Sequence, residues 1–244
     1  MRILITGGTS GLGLAMARAL TEDGHRIVLT GRDAGRAAAV AGSLAGEVHG
    51  IGMDVRDAGS VRAGRDAAVE RLGGLDVLVN NAGIGMRTVN PAFLTAPQPF
   101  WEVPEQGFRD VVDTNLTGYF LVASAVVPDL LAAPAGRIVN VTMNHATMRR
   151  AGFVPYGPSR AGAESLSRIM AADLAGTTVT VNLLLPGGPT VTGMIPDGVD
   201  ASAMLPAEIM AAPIRWLCSP AADGVHDERI VATEFADWLV ARTS

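Results

Sequence analysis

The sequence predicts an α/β fold: one domain in which a parallel sheet is covered by helices on both faces. Three observations carry this. Short Val/Ile/Leu runs bounded by Gly, Asn or Asp alternate regularly with longer segments of helical period. The runs are continuous rather than alternating with polar residues, as strands buried on both sides require. The 244 residues are 48% hydrophobic but only 5% aromatic, with 29 glycines, so the core must be built from aliphatic side chains on a sheet.

Taken in order, the first strand is RILIT, and its helix runs from Leu12 to Asp23. RIVLTGR follows, then a second helical stretch and the strand VHGIGMDV. A helix from Ala58 to Leu72 leads into LDVLVNNAG. Next come a helix through Phe108 to Leu130, the strand GRIVNVT, a helix from about Pro158 to Leu174, and TVTVNLLLPGG. ERIVATEF reads as a late strand and ADWLVARTS as a terminal helix. No repeat or linker interrupts this rhythm, so residues 1–244 read as a single unit.

Two stretches depart from it. Residues 84–104 hold four prolines and Phe93, Phe100 and Trp101, and residues 186–213 are rich in Pro, Met and Gly. Both follow strand ends, where open α/β sheets bind ligands, and 186–213 reads as a substrate lid.

Composition excludes several classes of function. The net charge is −5 and the longest basic cluster is Arg149 with Arg150, which argues against a nucleic-acid surface. No uninterrupted apolar run approaches the roughly 18 residues of a membrane span, and MRILITGG is too short and too soon broken by glycine for a signal peptide. A cytoplasmic location is expected. Cys218 has no partner for a disulfide and reads as a buried, inert thiol. No metal site is expected. All 19 basic residues are Arg, and the chain contains no Lys.

The turn TGGTSGLG joins the first strand to the first helix, with Thr6, Gly7, Thr9, Ser10, Gly11, Leu12 and Gly13 placed to meet a pyrophosphate at the helix N-terminus. Its spacing, Gly-x3-Gly-x-Gly, differs from the common dinucleotide fingerprint. Together with NNAG at 80–83, Asn115 in DTNLTG, Tyr156 in YGPSR, and Pro186-Gly187, all in order and at similar spacing, this turn resembles the short-chain dehydrogenase/reductase family. The resemblance spans nearly the whole chain. It implies a doubly wound Rossmann fold with a seven-stranded parallel sheet, a nicotinamide dinucleotide, a small-molecule substrate, and a homodimer or homotetramer. The helices around Asn115 and Tyr156 would form the dimer faces, with Ala161, Ala163, Leu166, Ile169 and Ala172 in contact.

Gly31 stands where NAD-preferring relatives carry an acidic residue, and Arg32 follows. A guanidinium can bind a 2′-phosphate by a bidentate fork, so NADP(H) is expected over NAD(H). By resemblance, Asp54 and Val55 would contact the adenine, and Asn81, Ala82 and Gly83 would line the cofactor. Pro186, Gly187, Thr190 and Thr192 would meet the nicotinamide amide.

In the family, Tyr156 would be the general acid/base, its phenol needing a nearby cation to ionise near neutral pH. The family places Lys four residues on; here that residue is Arg160, which keeps the charge in a larger planar group and can still reach ribose hydroxyls. Asn115 would hold a relay water or bond helix backbone. The family's substrate-binding Ser, thirteen residues before the Tyr, is replaced by Met143, whose thioether donates no hydrogen bond. Thr142, and after it Asn144, are the expected substitutes. His145 reads as a solvated loop residue. The resulting expectation is an NADP(H)-dependent oxidoreductase acting on the carbonyl or secondary alcohol of a hydrophobic small molecule, the apolar side chains of the two loops (among them Met194, Met204 and Met210) supplying the pocket. The alternative is a family member that binds cofactor without redox turnover, or a lyase or isomerase of a biosynthetic pathway.

Overall fold

The computed structural model describes residues 1–196, 198 and 200–243. Seven strands form one all-parallel sheet: β1 Arg2–Ile5, β2 Arg26–Gly31, β3 Val48–Gly52, β4 Val77–Asn80, β5 Arg137–Val141, β6 Thr180–Leu185 and β7 Arg229–Val231. Their spatial order is β3-β2-β1-β4-β5-β6-β7, so the winding direction reverses between β1 and β4. This is the doubly wound α/β fold predicted from the alternation of elements.

Strand geometry explains the two cores. Successive side chains point to opposite faces, so Ile3 and Ile5 of β1, Ile27 and Leu29 of β2, and Val77 and Val79 of β4 join one cluster. Their intervening neighbours Leu4, Val28 and Leu78 join the other. The first face is covered by α1 Gly11–Glu22, α2 Ala34–Gly42, α8 Ala211–Leu217 and α9 Phe235–Thr243. The second is covered by α3 Ala58–Leu72, α5 Gly118–Ala132 and α7 Tyr156–Leu174, the last preceded by the short α6 His145–Met148. Cys218 is fully enclosed in the first core, where burial pushes its thiol up to about 12, in keeping with an inert thiol.

Two boundaries differ from expectation. The long central helix begins earlier, with α4 Glu105–Val112 running through a single π-turn, Asp113–Thr117, into α5. α7 begins at Tyr156, which puts that residue in its first turn. The continuous helix Glu105–Ala132 is long and apolar enough in composition to cross a bilayer, which no uninterrupted run in the sequence suggested. Here Val122, Ala123, Val126 and Leu130 pack it onto the sheet, as in the core helix of a globular protein.

At the amino edge of the sheet, Arg2 grips Asp76 at the entrance to β4. Its backbone N, Nε and Nη2 donate to the carboxylate at 2.7, 3.1 and 2.6 Å. Burial alone would raise the Asp76 pKa, but these bonds and the guanidinium charge outweigh it and hold it below the ordinary value. A carboxyl so depressed stabilises the fold fully above its unfolded pKa, near 4, and loses that contribution as pH falls through the lower folded value. Urea denaturation over that acid window should therefore show a steeper loss of stability for the wild type than for Asp76→Asn, and parallel curves would refute the assignment.

Candidate active site

The carboxyl ends of β1 and β4 diverge at the reversal point, and one buried threonine ties them. The Thr6 hydroxyl accepts from the backbone N of Asn81 and of Ala82, both at 3.0 Å. The Asn81 side chain returns the favour, donating to the carbonyls of Thr6 and Gly7 at 3.0 Å. The chain can then turn sharply into α1. Gly7 has φ +65°, and a Cβ at Gly13 would lie 2.4 Å from the Gly7 carbonyl oxygen, so both positions require glycine.

Above this turn opens a cleft of about 650 Å³ that runs along the carboxyl edge of the sheet. Gly7, Thr9, Ser10, Gly11 and Leu12 line one end. Beside them stand Arg32, Asp54 and Val55, and then Asn81, Ala82 and Gly83 along the floor. At the far end are Thr142, Asn144, Tyr156 and Arg160, roofed by Pro186, Gly187, Thr190 and Thr192. Three of the residues nominated from sequence are placed elsewhere. Thr6, Gly13 and Asn115 do not line the cleft but stand behind it: Thr6 is 1% exposed with its hydroxyl spent on the strand tie, Gly13 is pressed beneath the turn, and Asn115 is fully buried.

The cleft fits a dinucleotide. The glycine turn leaves backbone amides bare at the N-terminus of α1, a ready anion site. At the end of β2, Gly31 has no side chain, and the Thr9 methyl stands 2.8 Å from where a Cβ would be. Arg32 and Arg36 both line this end, and neither makes a close ion pair among the described residues, although the Arg32 charge reaches the Asp54 carboxylate. Arg56 by contrast is bound to Asp54 at 2.7 Å, which holds the Asp54 carboxyl below its ordinary pKa.

At the catalytic end the Tyr156 ring packs on Met86, Phe93 and Phe153. Its hydroxyl lies 3.8 Å from the sulfur of Met194. Arg160, one turn further along α7, is buried, and its Nη1 donates to the Tyr119 hydroxyl and the Val141 carbonyl rather than projecting freely toward a ribose. Asn115 bonds the loop that follows β4 rather than helix backbone. From the π-turn its amide brackets Ile84, accepting from its N and donating to its carbonyl, both at 2.9 Å.

The nominated substitutes for the missing serine are already engaged. Thr142 donates its hydroxyl to Glu164 at 3.2 Å, and the Asn144 amide donates to the Gly187 carbonyl at 2.8 Å. Glu164 also bonds His145 at 2.9 Å and Arg229 at 2.9 Å, so His145, though exposed, has a partner. Met143 itself lines the cleft.

The segment after β6 folds over the far end. Val191 N bonds the Leu205 carbonyl at 2.9 Å and Leu205 N bonds the Pro189 carbonyl at 2.8 Å, closing a loop that brings Met194 and Met204 into the cleft. Asp197 and Val199, within this stretch, lie outside the described residues. The apolar loop residues therefore divide. Phe93, Met194 and Met204 line the cleft, Met210 is wholly buried in the core, and Phe100 and Trp101 stack edge to face in solvent.

Sequence reasoning missed Arg36, Tyr119 and Glu164. Arg36 sits one turn beyond Arg32, and Tyr119 is one of only two tyrosines and lies four residues past Asn115, so both carried a faint signal. Glu164 carried none, because its partners come from three separate elements.

Residues 1–200 match the family model described as short chain dehydrogenase. The chain belongs to the short-chain dehydrogenase family. The 3-oxoacyl-[acyl-carrier-protein] reductase of Vibrio cholerae is 33% identical over 184 residues, which cover 75% of this chain and 71% of that one. Of several other curated relatives the chain spans less than half the length, the matched part being 45% of each. Among solved family structures, a 3-ketoacyl-(acyl-carrier-protein) reductase from Brucella melitensis, complexed with NADH, superposes with TM-score 0.81 at 26% identity, covering 94% of this chain and 95% of that one. A short chain dehydrogenase from Burkholderia cenocepacia, in complex with NADP, gives TM-score 0.81 at 28% identity, covering 94% and 95%. The cleft thus belongs to a fold whose solved relatives hold a nicotinamide dinucleotide.

Proposed function

We propose that this chain is an NADP(H)-dependent oxidoreductase that reduces the carbonyl, or oxidises the matching secondary alcohol, of a small molecule with an apolar body. One observation carries the reading: a single cleft joins a glycine turn flanked by two unpaired arginines to a tyrosine hydroxyl set over apolar side chains. The cofactor, when bound, supplies or takes up the hydride. Tyr156 gives its proton to the carbonyl oxygen in reduction and recovers it in oxidation. The Arg160 cation favours the phenolate. Arg32, with Arg36 beside it, receives the 2′-phosphate, which a carboxylate at position 31 would repel. Met86, Phe93, Phe153 and Met194 shed water from the reacting carbon, and the segment 186–213 serves as the lid. With Met143 unable to donate, and Thr142 and Asn144 engaged by Glu164 and the Gly187 carbonyl, the position of the family's serine offers the substrate oxygen no free donor. That poverty of donors is the observation favouring the alternative, a family member that binds cofactor and performs no redox turnover.

The outer faces of α5 and α7 support a homo-oligomer. Phe120 and Ile169 are 51% and 55% exposed, whereas Ala163, expected at the dimer face, turns into its own protomer. A small-molecule substrate, and a cytoplasmic location, go with this reading.

Turnover of ketone and quinone substrates with NADPH should vanish in Tyr156→Phe while NADPH binding, followed by fluorescence titration, stays intact. Full activity in that variant would favour the alternative. NADPH should bind more tightly than NADH, and Arg32→Ala should erase about tenfold or more of the difference, the loss of a charged bidentate contact of roughly 1.5–3 kcal/mol. Equal dissociation constants in the wild type would refute the cofactor assignment. Light scattering at micromolar concentration should give a multiple of 25.2 kDa, and the protomer mass alone would refute the assembly.

A further inference from the structure

Arg160 is a cation in an expensive place. Its side chain is 3% exposed, and none of the ion pairs among the described residues includes it. A buried guanidinium without a counter-ion is tolerated only when its donors are well placed. Nη1 donates to the Tyr119 hydroxyl at 2.7 Å and to the Val141 carbonyl at 3.1 Å, while Nε has no partner. Nη2 lies against Gly83, where a Cβ would come within 2.2 Å of it. The guanidinium carbon is 5.4 Å from the ring centre of Tyr119 and 5.5 Å from that of Tyr156. The cation is therefore wedged between two tyrosines, one fully buried and one lining the cleft.

The chemistry of Tyr119 suits it to hold this cation. Its hydroxyl accepts from Arg160 and donates to the same Val141 carbonyl at 3.0 Å, closing a triangle that needs one group able to do both. Burial also pushes the Tyr119 phenol above the ordinary tyrosine range against the pull of Arg160, so it stays a neutral partner rather than a competing anion. A lysine at position 160 would present one compact nitrogen with freely rotating donors and would need no such clamp, whereas a planar guanidinium must be oriented.

We propose that Tyr119 is a positioning residue for Tyr156: its hydroxyl and the Val141 carbonyl fix the Arg160 guanidinium beside the Tyr156 ring, and this fixed cation sets the pH range over which Tyr156 gives and takes its proton. The proposal rests on the reading of Tyr156 as the acid/base. Other charged groups surround the pair. Glu164 on α7 is held by Thr142, His145 and Arg229. Arg150, ahead of α7, lies over the Phe153 ring at 4.9 Å, and Arg87 donates to the Ile195 carbonyl from across the cleft. All remain in the variants below, so their fields are common to every comparison.

The chain has only two tyrosines, which makes the test clean. In the coenzyme-free protein, the phenolate ultraviolet absorbance of Tyr119→Phe reports Tyr156 alone, and the wild-type curve minus that of Tyr156→Phe reports Tyr156 with Tyr119 present. Loss of the Tyr119 hydroxyl is expected to move the Tyr156 transition, and the acid limb of kcat for alcohol oxidation, to higher pH by roughly one unit, the scale of one hydrogen bond. In an Arg160→Lys background the same substitution should move neither. Coincident curves for wild type and Tyr119→Phe would overturn the proposal. So would equal shifts in both backgrounds, since Tyr119 would then act only by packing. Should Tyr119→Phe fail to fold, Arg160→Met removes the cation and must move the Tyr156 transition in the same direction, and an unmoved transition overturns the proposal. If Tyr156→Phe keeps full activity, the functional reading fails, and the coenzyme-free titration still decides whether Tyr119 governs Tyr156.

Discussion

The hydrogen-bond tie between Thr6 and the Asn81-Ala82 backbone is the constraint on which the cleft depends. Parallel strands on either side of the reversal point send their chains off in opposite directions, and the loops that follow have backbone groups with no sheet partner. Thr6 absorbs two of those amides and Asn81 absorbs two carbonyls, all at 3.0 Å, so the two strand ends stay in register while their loops separate. The glycine turn and the loop after β4, both of which line the cleft, are hung from this point. The glycine turn is held open on one side, and on the other the segment to Ile84 is gripped by Asn115 from the π-turn. A π-turn inside a long helix costs local regularity, and here it aims an amide at the loop after β4.

Electrostatics divide the cleft into two unlike ends. Near β2, the Arg32 and Arg36 side chains are exposed and unpaired among the described residues, an arrangement that is cheap in water and attractive to a phosphate. Near α7 the Arg160 cation is enclosed, and the groups that meet it are neutral oxygens and two aromatic faces. Burial makes that charge act strongly on whatever stands next to it, because little water is present to screen it. The same residue type thus does opposite work at the two ends, and solvent decides which.

The carboxylate Glu164 shows how a missing donor is bound up with its surroundings. It collects Thr142, His145 and Arg229 into one network beside the strand end, and Arg229 also caps the Met143 carbonyl at 2.8 Å. That network braces the start of the 142–148 loop, and in doing so it uses the Thr142 hydroxyl. Thioethers and aromatic rings stand around Tyr156 at the far end of the cleft, with Thr147 and Arg150 also in its wall, a largely apolar lining that suits an apolar substrate body.

The sequence by itself determined the layered α/β architecture, because strands buried on both faces must be continuous apolar runs and helices that cover them must repeat near every third or fourth residue. It also determined the glycine turn and the Tyr156 and Arg160 pair, since those depend on local spacing along one element. Tertiary structure alone decided where polar groups are spent. Thr142 and Asn144 look free in a string of letters, and only the fold brings Glu164 and Gly187 to meet them. Likewise Met210 and Met204 are equivalent by composition, yet one is sealed in the core and the other lines the cleft. Tyr119 gained its role the same way, from a contact that joins α5, β5 and α7 across 41 residues of chain. Such pairings follow from how elements pack in space, and a short-range pattern in sequence carries no record of them.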